Sequence, residues 1–292
     1  GLLSNNKIIA FEPDDGDDHI IEGPASILFR LNLEDGEKPK KLADLADQFH
    51  IAFKLEQDQK VRIYSHIGSV YIDIPKQEKD RYFIDAATDL WKKWKRPAEG
   101  LTVPLGVDQY KKIVEFSFSN SSSPHLLVGG TTGGGKSEAL YTILSGLLEY
   151  YNPDELKLIL IDPKQVELNN FAQGSYKKYL LESDPPIGYT TPHAIQSLEE
   201  CIEEMARRQN ILSEASNSGR YSGDIKDITS YNKAVENESR LPWWLIVMDE
   251  YYDLISDNEN KKELENQIKR LASKARAVGI HIIITTQQPT VE

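Results

Sequence analysis

The sequence is short of cysteine and of long apolar stretches. One cysteine, Cys201, occurs among 292 residues, so no disulfide can form within the chain and a reducing, cytoplasmic location is expected. No apolar run approaches the roughly 20 residues that a membrane-spanning helix needs. The first residues also lack the pattern of a secretory signal. A membrane tether elsewhere in a longer parent protein is compatible with all of this.

Positive charge is also scarce. The 34 Lys and Arg residues face 46 Asp and Glu residues, which leaves a formal net charge of -12 at pH 7. A polyanion is repelled by such a surface on average, so contact with nucleic acid requires a local cluster of basic residues. One stretch, WKKWKR at 91–96, mixes basic and aromatic residues. It can contact a phosphate backbone, or its two Trp can pack inward on a helix expected over Asp80–Arg96.

The pattern of apolar residues divides the chain into three parts. Residues 1–21 include EPDDGDDH and are expected to form a flexible acidic lead-in. Residues 22–100 are expected to form a small α+β domain, because ASILFRLNL has the alternation of a strand and KKLADLADQFHIAF the spacing of a helix. In residues 101–292 short apolar strands alternate with longer helical runs, which predicts an α/β fold with a mainly parallel sheet.

A glycine-rich loop follows the first of these strands. The strand HLLVGG leads into a match to G-x4-G-K-[ST], and the helical run EALYTILSGLLEY follows. Glycine lets backbone N–H groups approach phosphate closely, Lys136 can reach the β- and γ-phosphates, and the Ser137 hydroxyl can ligate Mg²⁺. The alternative is a flexible linker that matches by chance, and the flanking strand and helix favour the phosphate loop. The predicted nucleotide-binding residues are Gly130, Thr131, Thr132, Gly133, Gly134, Gly135, Lys136 and Ser137.

An acidic pair ends another apolar strand. In LPWWLIVMDEYYDL the buried run stops at Asp249 and Glu250. Beside a phosphate loop, the first acid can hold Mg²⁺ together with Ser137 and the second can orient and deprotonate an attacking water. A solvated turn is the alternative. The adjacent acids favour an ATP hydrolase over a GTP switch, and the sequence contains no guanine-reading NKxD motif.

Two further strands end in polar residues. LKLILIDP ends at Asp162, and GIHIIITTQQP ends at Thr285, Thr286 and Gln287. A polar side chain at such a strand end can hydrogen-bond the γ-phosphate or the attacking water. For Gln287 the alternative is an ordinary strand end.

Five segments in this order resemble the FtsK/SpoIIIE family of DNA-translocating motors: HLLVGGTTGGGKS, LILIDPKQVEL, EEMARRQNIL, LPWWLIVMDEYYDL and KRLASKARAVGIHIIITTQQP. Upstream, GPASILFRLNLEDGEKPKKLADLADQFHIAF and LTVPLGVDQ resemble the small domain that precedes the motor in that family. The resemblance covers about residues 23–292. The phosphate loop is shared with many NTPases, whereas the combination of IDPK, MDE-Y-x-DL and KARAxGIHxxxTTQ is more specific.

The resemblance implies a RecA-like P-loop NTPase core behind a small α+β domain, and a motor that hydrolyses ATP with Mg²⁺ on double-stranded DNA. It also implies a homo-hexameric ring in the full-length protein. By resemblance, Lys136 binds phosphate, Ser137 and Asp249 hold Mg²⁺, Glu250 is the catalytic base and Gln287 senses the γ-phosphate.

Arg276, in KARAVG, matches the arginine that similar motors insert into a neighbour's ATP site; the alternative is an exposed helix arginine. The family usually has TQRP where this chain has Thr286-Gln287-Gln288-Pro289, so an arginine near the DNA surface is missing. Further strands and DNA-facing loops are expected beyond Glu292, so DNA contact is expected mainly there. Two other functions stay open: an ATPase subunit of a DNA-defence or restriction system that licenses a partner nuclease, and a protein-secretion motor of the same superfamily.

Overall fold

The computed structural model describes residues 2–14, 18–66, 68–108, 110–131, 133–181, 185–221, 223–256 and 259–287. The chain forms two compact units. The first comprises Gly1–Trp94 and Gly106–Val114, and the second comprises Lys95–Leu105 and Glu115–Glu292. In the described part of the chain, no helix combines the length and the apolar character needed to cross a membrane.

The first unit is an antiparallel sheet with short helices. Its elements are α1 (Leu2–Asn5), β1 (Ala10–Phe11), β2 (Ile20–Glu22), β3 (Ser26–Leu33), α2 (Pro39–Ala43), α3 (Ala46–Ala52), β4 (Arg62–His66) and β5 (Ser69–Pro75). β3 pairs with β1, β2 and β5, and β5 pairs with β4. Residues 1–21 thus supply α1, β1 and the start of β2, while residues 15–17 of the acidic stretch lie outside the described residues.

The core of this unit follows from alternation along β5. Val70, Ile72 and Ile74 lie on one face of the strand and pack against apolar residues of α2 and α3. The helical pattern of residues 40–53 is divided between these two helices, which are separated at Asp44 and Leu45.

After β5, the prediction of one helix over Asp80–Arg96 is wrong. The chain makes a single 3-10 turn at Glu78–Asp80 and a wide helical turn at Ala86–Trp91. The Asp85 carboxylate accepts the Thr88 N–H at 2.8 Å and so fixes the start of the second turn. Trp94 is buried, whereas Lys92 and Lys93 are exposed. Two strands, β6 (Thr102–Val107) and β7 (Ile113–Ser117), then form a separate two-stranded sheet.

The second unit contains a five-stranded sheet in the order β10-β9-β11-β12-β8, with every neighbouring pair parallel. This confirms the predicted α/β fold with a mainly parallel sheet. Its elements are β8 (Leu126–Gly129), α4 (Lys136–Tyr150), β9 (Leu156–Ile161), β10 (Ile187–Gly188), α5 (Thr191–Asn217), α6 (Ile228–Ala234), β11 (Trp243–Met248), α7 (Tyr251–Ile255), α8 (Lys261–Lys274) and β12 (Ile280–Thr286).

Two apolar clusters cover the two faces of this sheet. One joins α5 and α8 to side chains such as Ile246 and Ile282, and the other joins α4 to side chains such as Leu245 and Ile283. Burial on both faces explains why the central strands are continuous apolar runs instead of alternating ones.

The register of the strands aligns their carboxyl ends. Thr286 of β12 pairs with Gly129 of β8, and Met248 of β11 pairs with Ile284 of β12 and with Ile161 of β9. The loops that follow β8, β9, β11 and β12 therefore meet at one edge of the sheet, called here the carboxyl edge. The opposite edge, where these strands begin, is called the amino edge.

Candidate active site

The glycine-rich loop lies at the carboxyl edge between β8 and α4. The Gly130 N–H donates to the Thr286 carbonyl at 3.2 Å, which ties the start of the loop to β12. Gly133 and Gly135 have φ values of 78° and 83°, a region that favours glycine. A Cβ on Gly134 would lie 3.0 Å from the Thr131 carbonyl oxygen. The glycines therefore meet steric demands of the loop, and Thr132 lies outside the described residues.

Lys136 lies between the two acids at the end of β11. Its ammonium nitrogen is 3.0 Å from Glu250 Oε2 and 3.4 Å from Asp249 Oδ1. All three side chains are at least nine-tenths buried. The fold thus joins residues that are 113 and 114 positions apart in the sequence, and the two motifs predicted to act together are in direct contact.

Asp249 is held from two sides. Its backbone N–H donates to the Ile161 carbonyl at 2.9 Å, and the Thr285 hydroxyl donates to its Oδ1. Thr285 is one of the polar strand-end residues singled out in the sequence. Its role in this structure is to orient the carboxylate of Asp249.

Glu250 has an unusual backbone conformation, with φ at 49°. Non-glycine residues in the left-handed region strain the backbone, and they occur preferentially at functional sites. Its N–H donates to Thr285 Oγ1 at 3.2 Å, and its Oε1 accepts the Gln287 backbone N–H at 3.1 Å. Burial opposes its ionisation, but the hydrogen bonds from Lys136 and Gln287 and the nearby lysine charges hold its pKa below the ordinary value of a glutamate. Glu250 is therefore a fixed, ionised carboxylate.

The loop after β9 is organised by Asp162. This fully buried carboxylate accepts backbone N–H groups from all five residues at 164–168, at 2.9 to 3.1 Å. Its oxygens are engaged by the loop itself, so the structure assigns Asp162 the task of shaping residues 162–168, called here the Asp162 loop. The sequence suggested a contact with phosphate or water for this side chain.

The Asp162 loop presents two residues that the sequence patterns did not single out. Lys164 Nζ lies 3.3 Å from Glu250 Oε2 and 3.5 Å from Asp253 Oδ2. The Ser137 hydroxyl donates to Glu167 Oε1 at 2.7 Å. Two signals were available: both residues lie in the LILIDPKQVEL segment of the family resemblance, and polar residues shortly after a parallel strand share an edge with the phosphate loop.

Among the predicted site residues that the structure describes, Arg276 alone lies far from the others. It is exposed, in a 3-10 turn (Arg276–Val278) just before β12 begins at Ile280. The glycine-rich loop adjoins the other end of β12, which at about 3.3 Å per residue is roughly 20 Å away. Arg276 therefore does not reach the site of its own chain.

The residues gathered here suit a nucleotide with a hard cation. Backbone N–H groups of the glycine-rich loop, the N-terminus of α4 and Lys136 are donors for phosphate. Ser137 and Asp249 supply the oxygen ligands that Mg²⁺ prefers. Glu250 lies beside them as a carboxylate that can accept a proton from water.

Most of the chain is similar to known proteins. The model of the FtsK/SpoIIIE family matches residues 89–291. DNA translocase FtsK of Borreliella burgdorferi is 35% identical over 280 residues, which are 94% of this chain and 33% of that protein. DNA translocase FtsK of Clostridium tetani is 32% identical over 279 residues, 94% of this chain and 35% of that protein. The chain thus spans about a third of the length of these curated relatives.

Two solved structures have a similar fold. The monomer form of the pCW3 conjugation coupling protein TcpA with ATPgS covers 98% of this chain, and the match takes in 75% of that chain, with 21% identity and a TM-score of 0.56. EssC (ATPases 2 and 3) from Geobacillus thermodenitrificans covers 66% of this chain, with 35% of that chain matched, 20% identity and a TM-score of 0.52. At these identities the likeness concerns the fold alone.

Proposed function

The chain belongs to the FtsK/SpoIIIE family, and we propose that it is the ATP-hydrolysing motor of a protein that moves along double-stranded DNA. The observation that carries the proposal is the contact of Lys136 with Asp249 and Glu250 at the carboxyl edge. ATP hydrolysis requires a phosphate-binding lysine, a metal-binding acid and a catalytic base, and the contact among these three side chains supports assigning them those roles.

In this proposal each residue of the site has one task. Lys136 exchanges its carboxylate partners for the β- and γ-phosphates, and Ser137 and Asp249 hold Mg²⁺, which neutralises phosphate charge when bound. Glu250 orients and deprotonates the attacking water. Its depressed pKa keeps it ionised at neutral pH.

Gln287 has the task of reporting the nucleotide state. Its backbone N–H already contacts Glu250 Oε1, so a change at the γ-phosphate can be transmitted to the end of β12. The side chains that follow, Gln288 and Pro289 of the TQQP segment, lie outside the described residues.

The choice of DNA as the substrate rests on the relatives. The curated proteins that match 94% of this chain, including its first unit, are named DNA translocases. We therefore favour DNA over a secreted protein as the cargo, and the cytoplasm as the location. ATPase activity should be measured with and without duplex DNA on a protein extended past Glu292 with its native continuation. We expect duplex DNA to stimulate ATP hydrolysis, and we expect Lys136→Ala to abolish the stimulated activity.

Other outcomes of that experiment would overturn the proposal. Stimulation by a polypeptide and not by DNA would favour the secretion motor. The DNA-defence subunit would be favoured if duplex DNA stimulated hydrolysis and the protein activated a nuclease, but did not displace another protein bound to the same DNA. Absence of ATP hydrolysis would remove the motor altogether.

DNA is proposed to contact mainly the segment beyond Glu292. Arg96 of the basic stretch is bound to both oxygens of Glu155, at 2.7 and 3.1 Å, and is thereby drawn away from a phosphate backbone. Each phosphate contact contributes a log–log salt slope of about -0.9. Residues 1–292 alone should therefore bind duplex DNA weakly with a shallow slope, and the extended protein tightly with a steep one. Equal slopes would place the DNA surface within residues 1–292.

Arg276 is proposed to complete the site of a neighbouring subunit in a hexameric ring. Its distance from its own site supports this role. Arginine fingers contribute about 10³- to 10⁵-fold in rate in other P-loop enzymes. Arg276→Ala subunits mixed with Lys136→Ala subunits should recover part of the lost activity, because some interfaces then pair an intact site with an intact arginine. A co-assembled mixture that stays inactive would contradict the role.

A further inference from the structure

The phosphate-loop serine has a partner outside both nucleotide motifs. The Ser137 hydroxyl donates to Glu167 Oε1 at 2.7 Å. We propose that Glu167 is a positioning residue for Mg²⁺: it fixes the Ser137 hydroxyl as a metal ligand and adds negative charge to the metal side of the site. The inference rests on the proposed nucleotide site and assigns that site a residue that the phosphate loop and the acidic pair do not contain.

The Ser137 hydroxyl has a single hydrogen. A hydroxyl offers one donor hydrogen and two acceptor lone pairs. A metal ion takes a lone pair, so the hydrogen must point elsewhere, and Glu167 accepts it. Asp249 Oδ1 already accepts the Thr285 hydroxyl and lies 3.4 Å from the Lys136 ammonium, and the Ser137 hydroxyl donates to Glu167 instead. Glu167 therefore sets the rotamer in which Ser137 can serve as a ligand.

Glu167 is itself held rigidly. Its backbone N–H donates to Asp162 Oδ2 at 3.0 Å, and its carbonyl accepts the Tyr141 hydroxyl at 2.9 Å. Leu168, the next residue, is fully buried in the core. A second layer of partners that orients a metal ligand is a general feature of metal sites, and losing one typically lowers metal affinity by 10- to 100-fold.

The charge of Glu167 gives the inference a distinctive signature. Without a metal, a carboxylate next to Ser137 repels the triphosphate. With Mg²⁺ it attracts the cation and keeps the serine lone pairs available. Removing the charge should therefore weaken nucleotide binding in Mg²⁺ and leave it equal or tighter in EDTA. Loss of packing alone would weaken binding in both conditions.

The test is a titration with a fluorescent, non-hydrolysable ATP analogue, in excess Mg²⁺ and in EDTA. Glu167→Gln keeps the shape and an oxygen acceptor but loses the charge. We expect the ratio of the dissociation constant in EDTA to that in Mg²⁺ to fall by about 10- to 100-fold. Glu138→Gln is the matched control, because it removes an exposed carboxylate from the residue next to Ser137. The control should keep the ratio of the parent protein.

A double-mutant cycle with Ser137→Ala guards against a trivial folding defect. Glu167→Leu removes the acceptor for the Ser137 hydroxyl as well as the charge, so it should lower the Mg²⁺ dependence less in the Ser137→Ala background than in the parent protein. A Glu167→Gln protein with the parental ratio, or additive losses in the cycle, would overturn the inference and leave the nucleotide site standing. A parent protein that binds the analogue in neither condition would overturn both.

Discussion

At the carboxyl edge of the parallel sheet, the buried Lys136 ammonium contacts two carboxylates, whereas at the amino edge the buried Arg208 guanidinium contacts one carboxylate and two backbone carbonyls. Arg208 Nε donates to Glu204 Oε1 at 2.7 Å, and one of its terminal nitrogens donates to the Pro242 and Val278 carbonyls at 2.7 and 2.9 Å. Both cations are buried, but their partners differ in kind.

The partners at the amino edge are permanent parts of the fold. Arg208 joins α5 to the start of β11 and to the turn before β12, and the Tyr151 hydroxyl bonds the backbone of Thr102 and Gly100. The partners at the carboxyl edge are side chains that a ligand can replace. Lys136 can leave its carboxylates for phosphate without breaking a backbone contact. The same kind of buried charge thus stabilises the fold at one edge and stays exchangeable at the other.

The largest effect is expected from Glu250. Glu250→Gln removes the proposed base and keeps the phosphate loop, so kcat should fall by about 10²- to 10⁴-fold with little change in nucleotide affinity. Glu155→Gln is the control at the amino edge, where it removes the partner of Arg96. It should cost stability and leave kcat intact. Parental turnover by Glu250→Gln would show that the base lies elsewhere.

Arg208 should show the reverse pattern. Arg208→Met leaves the Pro242 and Val278 carbonyls without this donor and removes one of the two arginines bound to Glu204, and breaking such a buried pair costs about 3–5 kcal/mol of unfolding free energy. Arg207 pairs with the same Glu204 from a largely exposed position. Arg207→Met should therefore cost at most about 1 kcal/mol. Urea unfolding of both variants measures the difference, and an equal loss would mean that burial of Arg208 adds nothing.

The carboxyl edge was the more predictable of the two. The phosphate loop and the Asp249-Glu250 pair are runs of adjacent residues whose chemistry depends on local spacing, so each can be identified from the sequence alone. Lys164 and Glu167 lie in the LILIDPKQVEL segment quoted for the resemblance, but their contacts depend on how Asp162 folds its loop and on the register of β9, which a local pattern does not record. Arg208 lies in the polar-looking helix segment EEMARRQ, and only tertiary packing distinguishes it from its exposed neighbour Arg207.

The failed helix over Asp80–Arg96 has a similar cause. Its apolar and charged spacing resembles a helix, but the Tyr82 N–H donates to the Pro24 carbonyl at 3.1 Å, which takes the chain away from helical geometry. Trp94 is buried as the spacing suggested. Burial of a residue was therefore easier to predict than the backbone that delivers it, because tertiary hydrogen bonds override local propensity.

His281, at the amino edge, should make stability depend on pH. Complete burial lowers its pKa from 6.5 to about 3, although the Nδ1–H bond to the Pro124 carbonyl acts in the opposite direction; the charges of His125, Arg208 and Arg276 lower it further. Below pH 6.5, His281 binds a proton in the unfolded chain but stays neutral in the folded chain. Stability is therefore complete above about pH 6.5 and falls by roughly 1.4 kcal/mol per pH unit towards pH 3.

The measurement is a series of urea unfolding curves between pH 5 and 8. His281→Asn should flatten the acid loss, and His66→Asn, which replaces an exposed histidine, should leave it unchanged. If the free energy of unfolding of the His281→Asn protein fell towards acid pH as steeply as that of the parent protein, the pH dependence would belong to other groups.

The smallest effect compares the two ends of one strand. Lys164 follows β9 at the carboxyl edge and contacts Glu250. Lys157 is the second residue of β9, at the amino edge, where its ammonium donates to the Lys178 carbonyl at 3.0 Å. The Lys164 side chain is 43% exposed, so solvent screens its ion pair to about 0.2–1 kcal/mol, a change of up to about fivefold in rate. Lys164→Met should therefore lower kcat a few-fold, because Glu250 loses one of the contacts that orient it, with almost no change in stability. Lys157→Met should leave kcat unchanged. If the two variants had equal turnover, Lys164 would be a surface charge that contacts Glu250 without positioning it. The side chains at the carboxyl edge that exchange partners with a ligand would then be only Lys136, Asp249 and Glu250.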